Sequence, residues 1–177
     1  KDYIVIQLKN GDIKILNRRG EDRIVVEDKI QYNDNTVYSY LGSFTTSDNQ
    51  GNLIQIDTDG NFNRNNLNLS ENSMINISDD KLVYISEDIL SIKGIDVKLP
   101  IGRYSKPKIF NISRNFFVGT TDLNDNNIYL FNDGGELVKG FPLKGSSSYD
   151  LIDSDMDGKL EIISKIDNFS IVSYEIN

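Results

Sequence analysis

The sequence predicts an all-β chain assembled from repeated hairpins, and two observations carry that expectation. No window of ten or more residues places apolar side chains at the i, i+3, i+4, i+7 spacing of an amphipathic helix, whereas short alternating runs recur from end to end. These runs are punctuated by glycine, asparagine and aspartate in combinations suited to tight turns, as at Asn10-Gly11, Asn49-Gln50-Gly51-Asn52, Asp59-Gly60 and Asp133-Gly134-Gly135.

In chain order, Ile4-Val5-Ile6 opens the apolar pattern and Asn10-Gly11 turns the chain into Ile13-Lys14-Ile15-Leu16-Asn17. Arg18-Arg19 reads as a solvated turn ahead of Ile24-Val25-Val26. A strand ending near a polar turn then returns as Leu53-Ile54-Gln55-Ile56-Asp57, Ile89-Leu90-Ser91-Ile92-Lys93, Ile128-Tyr129-Leu130-Phe131-Asn132 and Ser170-Ile171-Val172-Ser173-Tyr174. The starts lie about 36 to 42 residues apart, close to the roughly 40 to 50 residues of a four-stranded propeller blade. Val97-Lys98-Leu99-Pro100 and Lys139-Gly140-Phe141-Pro142 end two of these units; proline lacks a ladder donor and belongs at an edge, where the outermost strand of a blade lies. Ser146-Ser147-Ser148 reads as a linker between units.

The expected architecture is a β-propeller or propeller segment of about five four-stranded blades with the outer two incomplete, residues 1–177 forming one domain. The register gives about three strands before Asn33, four in each of three middle units, and three after Tyr149, with Asn177 closing the last. Either the two ends complete a small five-bladed ring, one lending a strand to the other's blade, or the chain is the C-terminal part of a larger ring. The start at Lys1, already inside a strand pattern and without an initiator methionine or signal segment, points to a processed or excised piece and so to the second arrangement.

Composition prunes the functional classes. A formal net charge of -8 and a pI near 4.5 argue against a nucleic-acid groove or an anionic membrane surface. The chain holds no cysteine and no histidine, which removes disulfides, thiolate nucleophiles, cysteine zinc sites, Ser-His-Asp triads and Cys-His dyads. No apolar run approaches the roughly eighteen residues of a membrane span, so no membrane insertion is expected.

One segment carries candidate chemistry. In Asp153-Ser154-Asp155-Met156-Asp157-Gly158-Lys159-Leu160-Glu161, carboxylates at positions one, three and five of a coiled loop fall on one inner side, and glycine at six permits the sharp turn. The Lys159 carbonyl and the Glu161 carboxylate would add oxygens, a hard donor set that suits Ca²⁺. An EF-hand is excluded: Ser164 stands where the bidentate glutamate would be, and Leu160-Glu161-Ile162-Ile163 is a strand sequence. The competing reading is an acidic turn whose aspartates and glycine merely suit turn dihedrals. Asp57-Thr58-Asp59-Gly60-Asn61 reads as such a turn, and Asp122-Leu123-Asn124-Asp125-Asn126-Asn127 as a solvated hairpin tip.

A DxDxDGxx(D/E) loop running straight into a strand resembles the calcium loops of FG-GAP and VCBS-type propeller repeats, as in integrin α-subunits, with Glu161 standing where that pattern usually has Asp. The stretch Gly135-Glu136-Leu137-Val138-Lys139-Gly140-Phe141-Pro142 is similar to blade ends of quinoprotein-like and VCBS-like bacterial propellers, including extracytoplasmic proteins of unassigned function. The resemblance implies a structural calcium ion bracing the first two strands of the last blade, in a periplasmic or cell-surface protein.

The expected activity is a non-catalytic interaction or scaffold module with a protein or glycan partner. A first rival is a glycan-binding module, with Tyr38, Tyr40, Tyr84, Tyr104 or Tyr149 as stacking surfaces, against the plainer reading that these rings pack blades. A second rival is a carboxylate-based glycosidase fragment, for which two acids would suffice; no pair is singled out.

Overall fold

The computed structural model describes residues 2–32 and 36–176, so the expected closing residue Asn177 lies outside the described residues. They form eighteen β-strands and no helix. Their order is β1 (Ile4–Gln7), β2 (Ile13–Leu16), β3 (Asp22–Ile24), β4 (Tyr38–Tyr40), β5 (Ser43–Ser47), β6 (Asn52–Ile56), β7 (Phe62–Asn66), β8 (Met74–Ser78) and β9 (Lys81–Ser86). There follow β10 (Ile89–Ile92), β11 (Ile95–Lys98), β12 (Lys108–Ile112), β13 (Asn115–Asp122), β14 (Asn127–Asn132), β15 (Leu143–Lys144), β16 (Tyr149–Ile152), β17 (Leu160–Lys165) and β18 (Ile171–Ile176). Five antiparallel sheets result, ordered β1-β2-β3, β4-β5-β6-β7, β11-β10-β9-β8, β12-β13-β14-β15 and β16-β17-β18. The first and last have three strands and the middle three have four, as the repeat register predicts.

The chain divides into two compact units, Lys1–Leu82 and Val83–Asn177, the division falling inside β9. In the first unit Ile13, Ile15, Ile30, Ile54 and Ile56 are buried together, with Tyr3, Phe44 and Phe62 packed against them. The second unit has two clusters, one around Val83, Leu90, Tyr104, Val118 and Phe131, the other around Ile128, Leu130, Tyr149, Leu151 and Ile162. Both are lined from alternate strand positions, the period-2 pattern of half-buried sheets.

Four hairpin turns share one construction, which the turn glycines alone do not announce. At Asn17, Asp48, Asp57 and Asn132 the side-chain Oδ1 accepts from the backbone amides two and four residues on, at 2.8 and 3.2, 3.0 and 3.0, 2.9 and 2.9, and 3.0 and 3.0 Å. The fourth residue is glycine each time, at φ of 78° for Gly20, 84° for Gly51, 91° for Gly60 and 78° for Gly135, a conformation open to glycine without steric cost. The fifth residue matches the first in donor chemistry. Asn17 and Asn132 give their amide groups to Glu21 and Glu136, both at 2.9 Å, while Asp48 and Asp57 accept from Asn52 and Asn61 at 3.0 and 2.7 Å. Three of these turns, at Asn17, Asp57 and Asn132, follow β2, β6 and β14, the repeat strands read from the sequence. Pro100 and Pro142 sit just outside the edge strands β11 and β15, where no ladder amide is lost.

Candidate metal centre

The strands on either side of the acidic loop fix its two ends. Tyr149, Asp150, Leu151 and Ile152 of β16 pair with Ser164, Ile163, Ile162 and Glu161 of β17, so Asp153 leaves the sheet where Glu161 enters it. Between them the chain coils through two residues at positive φ, Met156 at 64° and Gly158 at 90°. The coil is stitched by its own carboxylates: Asp153 Oδ2 accepts from the Gly158 amide at 3.0 Å, Asp155 Oδ1 from Asp157 at 3.2 Å, and Asp157 Oδ1 from Lys159 at 2.8 Å.

Three acids converge. Asp153, Asp155 and Glu161 each offer one carboxylate oxygen, all within 4.8 Å of one another. Two oxygens bound to one Ca²⁺ at 2.3–2.6 Å stand at most about 5 Å apart, so the group has the span of a shared cation. Glu161, 7 % exposed, is aimed by Ser154, whose amide and hydroxyl both donate to its Oε2 at 2.7 and 2.8 Å. Asp153 Oδ1 is buried and has no hydrogen-bond partner. A buried carboxylate oxygen without a donor is costly unless a cation or water meets it, and that orphaned atom is the observation on which the donor set fits a metal.

Asp157 and Lys159 stand apart from the group. Asp157 lies against Lys159, its Oδ2 3.8 Å from the ammonium, and that ammonium is paired at 2.8 Å with Glu175 on β18. The Glu175 hydrogen bond and charge, with smaller help from Asp157 and Asp155, push the Lys159 ammonium pKa up and keep it charged. Ser154 and the Lys159 side chain are the parts that sequence reading missed; serine at the second position had no spacing rule to mark it.

The other acidic segments are built differently. Around Asp57 both carboxylate oxygens are taken by Asp59 and Asn61, the turn that the sequence predicts. Asp122 is buried with Oδ1 on the Asn124 amide at 2.9 Å, and Asp125 turns its carbonyl to Lys144 at 3.0 Å. Among the tyrosines considered as platforms, Tyr104 and Tyr149 are buried, and Tyr38 donates to the Ile75 carbonyl at 3.1 Å.

No protein-family model matches the sequence, and no curated protein matches it either. Solved structures do. The computationally designed Ika8 protein superposes with a TM-score of 0.68 at 16 % identity, over 99 % of this chain and 56 % of that one. BamB from Moraxella catarrhalis gives 0.56 at 18 % identity, over 99 % and 54 %. The dihydro-heme d1 dehydrogenase NirN, in complex with DHE, gives 0.63 at 10 % identity, over 98 % and 43 %. The chain thus spans about half the length of these three structures. BamB and NirN are β-propeller proteins. With its five antiparallel sheets, the outer two three-stranded, this chain is an all-β propeller or propeller segment. No helix among the described residues is long and apolar enough to cross a membrane.

Proposed function

We propose that the chain is a non-catalytic interaction or scaffold module of propeller type, from an extracytoplasmic bacterial protein, in which a calcium ion braces the loop between β16 and β17. The observation that carries the metal is the convergence of Asp153, Asp155 and Glu161 on one point, with Asp153 Oδ1 buried and lacking any donor. These three carboxylates would hold the ion first, with Asp157 and the Lys159 carbonyl as further oxygens. The ion would neutralise neighbouring anions and pin the end of β16 to the start of β17. The absence of histidine and cysteine from the sequence supports a binding role over catalysis. The loop's resemblance to FG-GAP and VCBS repeats supports the extracytoplasmic compartment, and an affinity in the range of extracellular modules is what such a site would need there.

Thermal melting with and without calcium tests this. At about 1 mM calcium, a site with a dissociation constant of about 0.1 to 1 mM adds roughly 0.4 to 1.4 kcal/mol, and Asp155→Ala removes that increment. A wild-type melting temperature unmoved between chelator and about 10 mM calcium, well above such a constant, overturns the metal assignment.

A further inference from the structure

Reading the loop as a calcium site leaves a question that the geometry itself raises: why the fifth-position acid stands outside the cluster. Asp157 is the third aspartate of the alternating series, yet the convergent group is Asp153, Asp155 and Glu161. What Asp157 faces instead is the Lys159 ammonium, 3.8 Å from its Oδ2, while its Oδ1 accepts from the Lys159 amide. The same ammonium reaches across to Glu175 Oε2 at 2.8 Å. Glu175 lies directly opposite Glu161 in the β17–β18 ladder, so the two carboxylates are cross-strand neighbours on one face, an arrangement that repels. Lys159 is bound to one member of that pair, Glu175, and lies against Asp157 on its other side.

We infer that Lys159 is a built-in competitor of the metal, a tethered cation shared between Asp157 and Glu175 that sets the affinity of the loop for calcium. A divalent ion at Asp153, Asp155 and Glu161 brings positive charge close to an ammonium already there, and the two repel. Asp157 serves one cation or the other. Glu175 decides which, because its short contact draws the ammonium toward β18 and away from Asp157. With Glu175 in place the lysine is held aside and the metal is tolerated; without Glu175 the ammonium has only Asp157 to pair with, and the metal loses ground. The inference rests on the calcium reading of the loop.

Isothermal titration of calcium chloride into the full chain separates the two. Lys159→Met, with Lys159→Gln as a second version, tightens calcium binding about threefold or more, the size expected when a unit charge a few ångströms away is removed in high dielectric. Glu175→Gln weakens binding by a similar factor, and this weakening vanishes when Lys159 is already methionine, since Glu175 acts through the lysine. Calcium bound by the wild type, with affinity unchanged or weakened in both lysine variants, overturns the inference and leaves the metal site standing. So does a Glu175→Gln effect equally large with and without Lys159, which makes Glu175 a charge acting on the site directly and not through the lysine. No calcium binding by any variant overturns the site reading, and this inference with it.

Discussion

The ring of Tyr149 lies so close against Gly119 that no side chain fits between them: a Cβ at 119 would overlap the phenolic oxygen and stand 3.1 Å from both Cε2 and Cζ. Gly119 is in the middle of β13 and Tyr149 opens β16. The ring is also flanked by Phe110, at 6.1 Å between centroids, and by the Lys108 ammonium, 4.4 Å from the ring centre, so a shift away from residue 119 disturbs those contacts. Gly119→Ala therefore lowers stability by about 1 to 3 kcal/mol through overpacking, read as a shifted urea midpoint at unchanged slope. In a Tyr149→Phe background the nearest clashing atom is gone, and the same substitution costs clearly less.

The Tyr149 hydroxyl is buried without a partner, so burial alone pushes its phenol far above the ordinary tyrosine value. Tyr104 is raised as well, by burial first and then by the charges of Tyr129, Asp122 and Asp88. In the unfolded chain both ionise near pH 10 while the folded state keeps its protons. The unfolded state then binds fewer protons, and stability falls as pH rises above about 10. Urea midpoints measured at about pH 9 and about pH 11 show this loss, and Tyr149→Phe makes it smaller.

Much of the fold was legible because a strand repeat leaves its mark in local chemistry. The strands beginning at Ile13, Ile89 and Ile128 were readable from alternation and turn residues, and they start within one residue of β2, β10 and β14. The shared turn construction was visible only in part. Its glycine and first residue are common turn signals, but the pairing of Asn with Glu and of Asp with Asn four residues on becomes meaningful once the bonds are seen. In the candidate site, sequence spacing found all the acids yet could not sort them. Alternation in a coiled loop treats Asp155 and Asp157 alike, whereas a single ammonium, itself held by a residue sixteen positions away on β18, separates them.

The donor matching in the turns makes a sharp prediction at Asp57. Its carboxyl lies below the ordinary aspartate value, chiefly through the side-chain bond from Asn61 and then the backbone amides of Asn61, Asp59 and Gly60. A lowered folded pKa contributes stability at pH above about 3.8 that is lost as pH falls through the folded value. Asp57→Asn turns one acceptor into a donor facing the Asn61 amide and lowers the melting temperature. Adding Asn61→Glu recreates the Asn132 and Glu136 arrangement and restores it, with the dependence on acid pH transferred to the new glutamate. A double variant no more stable than Asp57→Asn would show that the fifth-position side chain plays no part.

Asp57 and Asp155 sit in similar-looking acidic loops, and calcium should tell them apart. Both oxygens of Asp57 are engaged by amides of its own turn, so Asp57→Ala weakens the fold equally in chelator and in calcium. Asp155 makes one long bond, 3.2 Å to the Asp157 amide, and contributes an oxygen to the convergent group. Removing it costs little in chelator, where it also eases repulsion among three neighbouring carboxylates. In calcium the variant lacks the roughly 0.4 to 1.4 kcal/mol that the wild type gains at about 1 mM. Melting curves of the two alanine variants, each with and without calcium, should therefore show a constant deficit for Asp57→Ala and a calcium-dependent one for Asp155→Ala. Equal behaviour of the two would reduce the loop at Asp153 to another acidic turn.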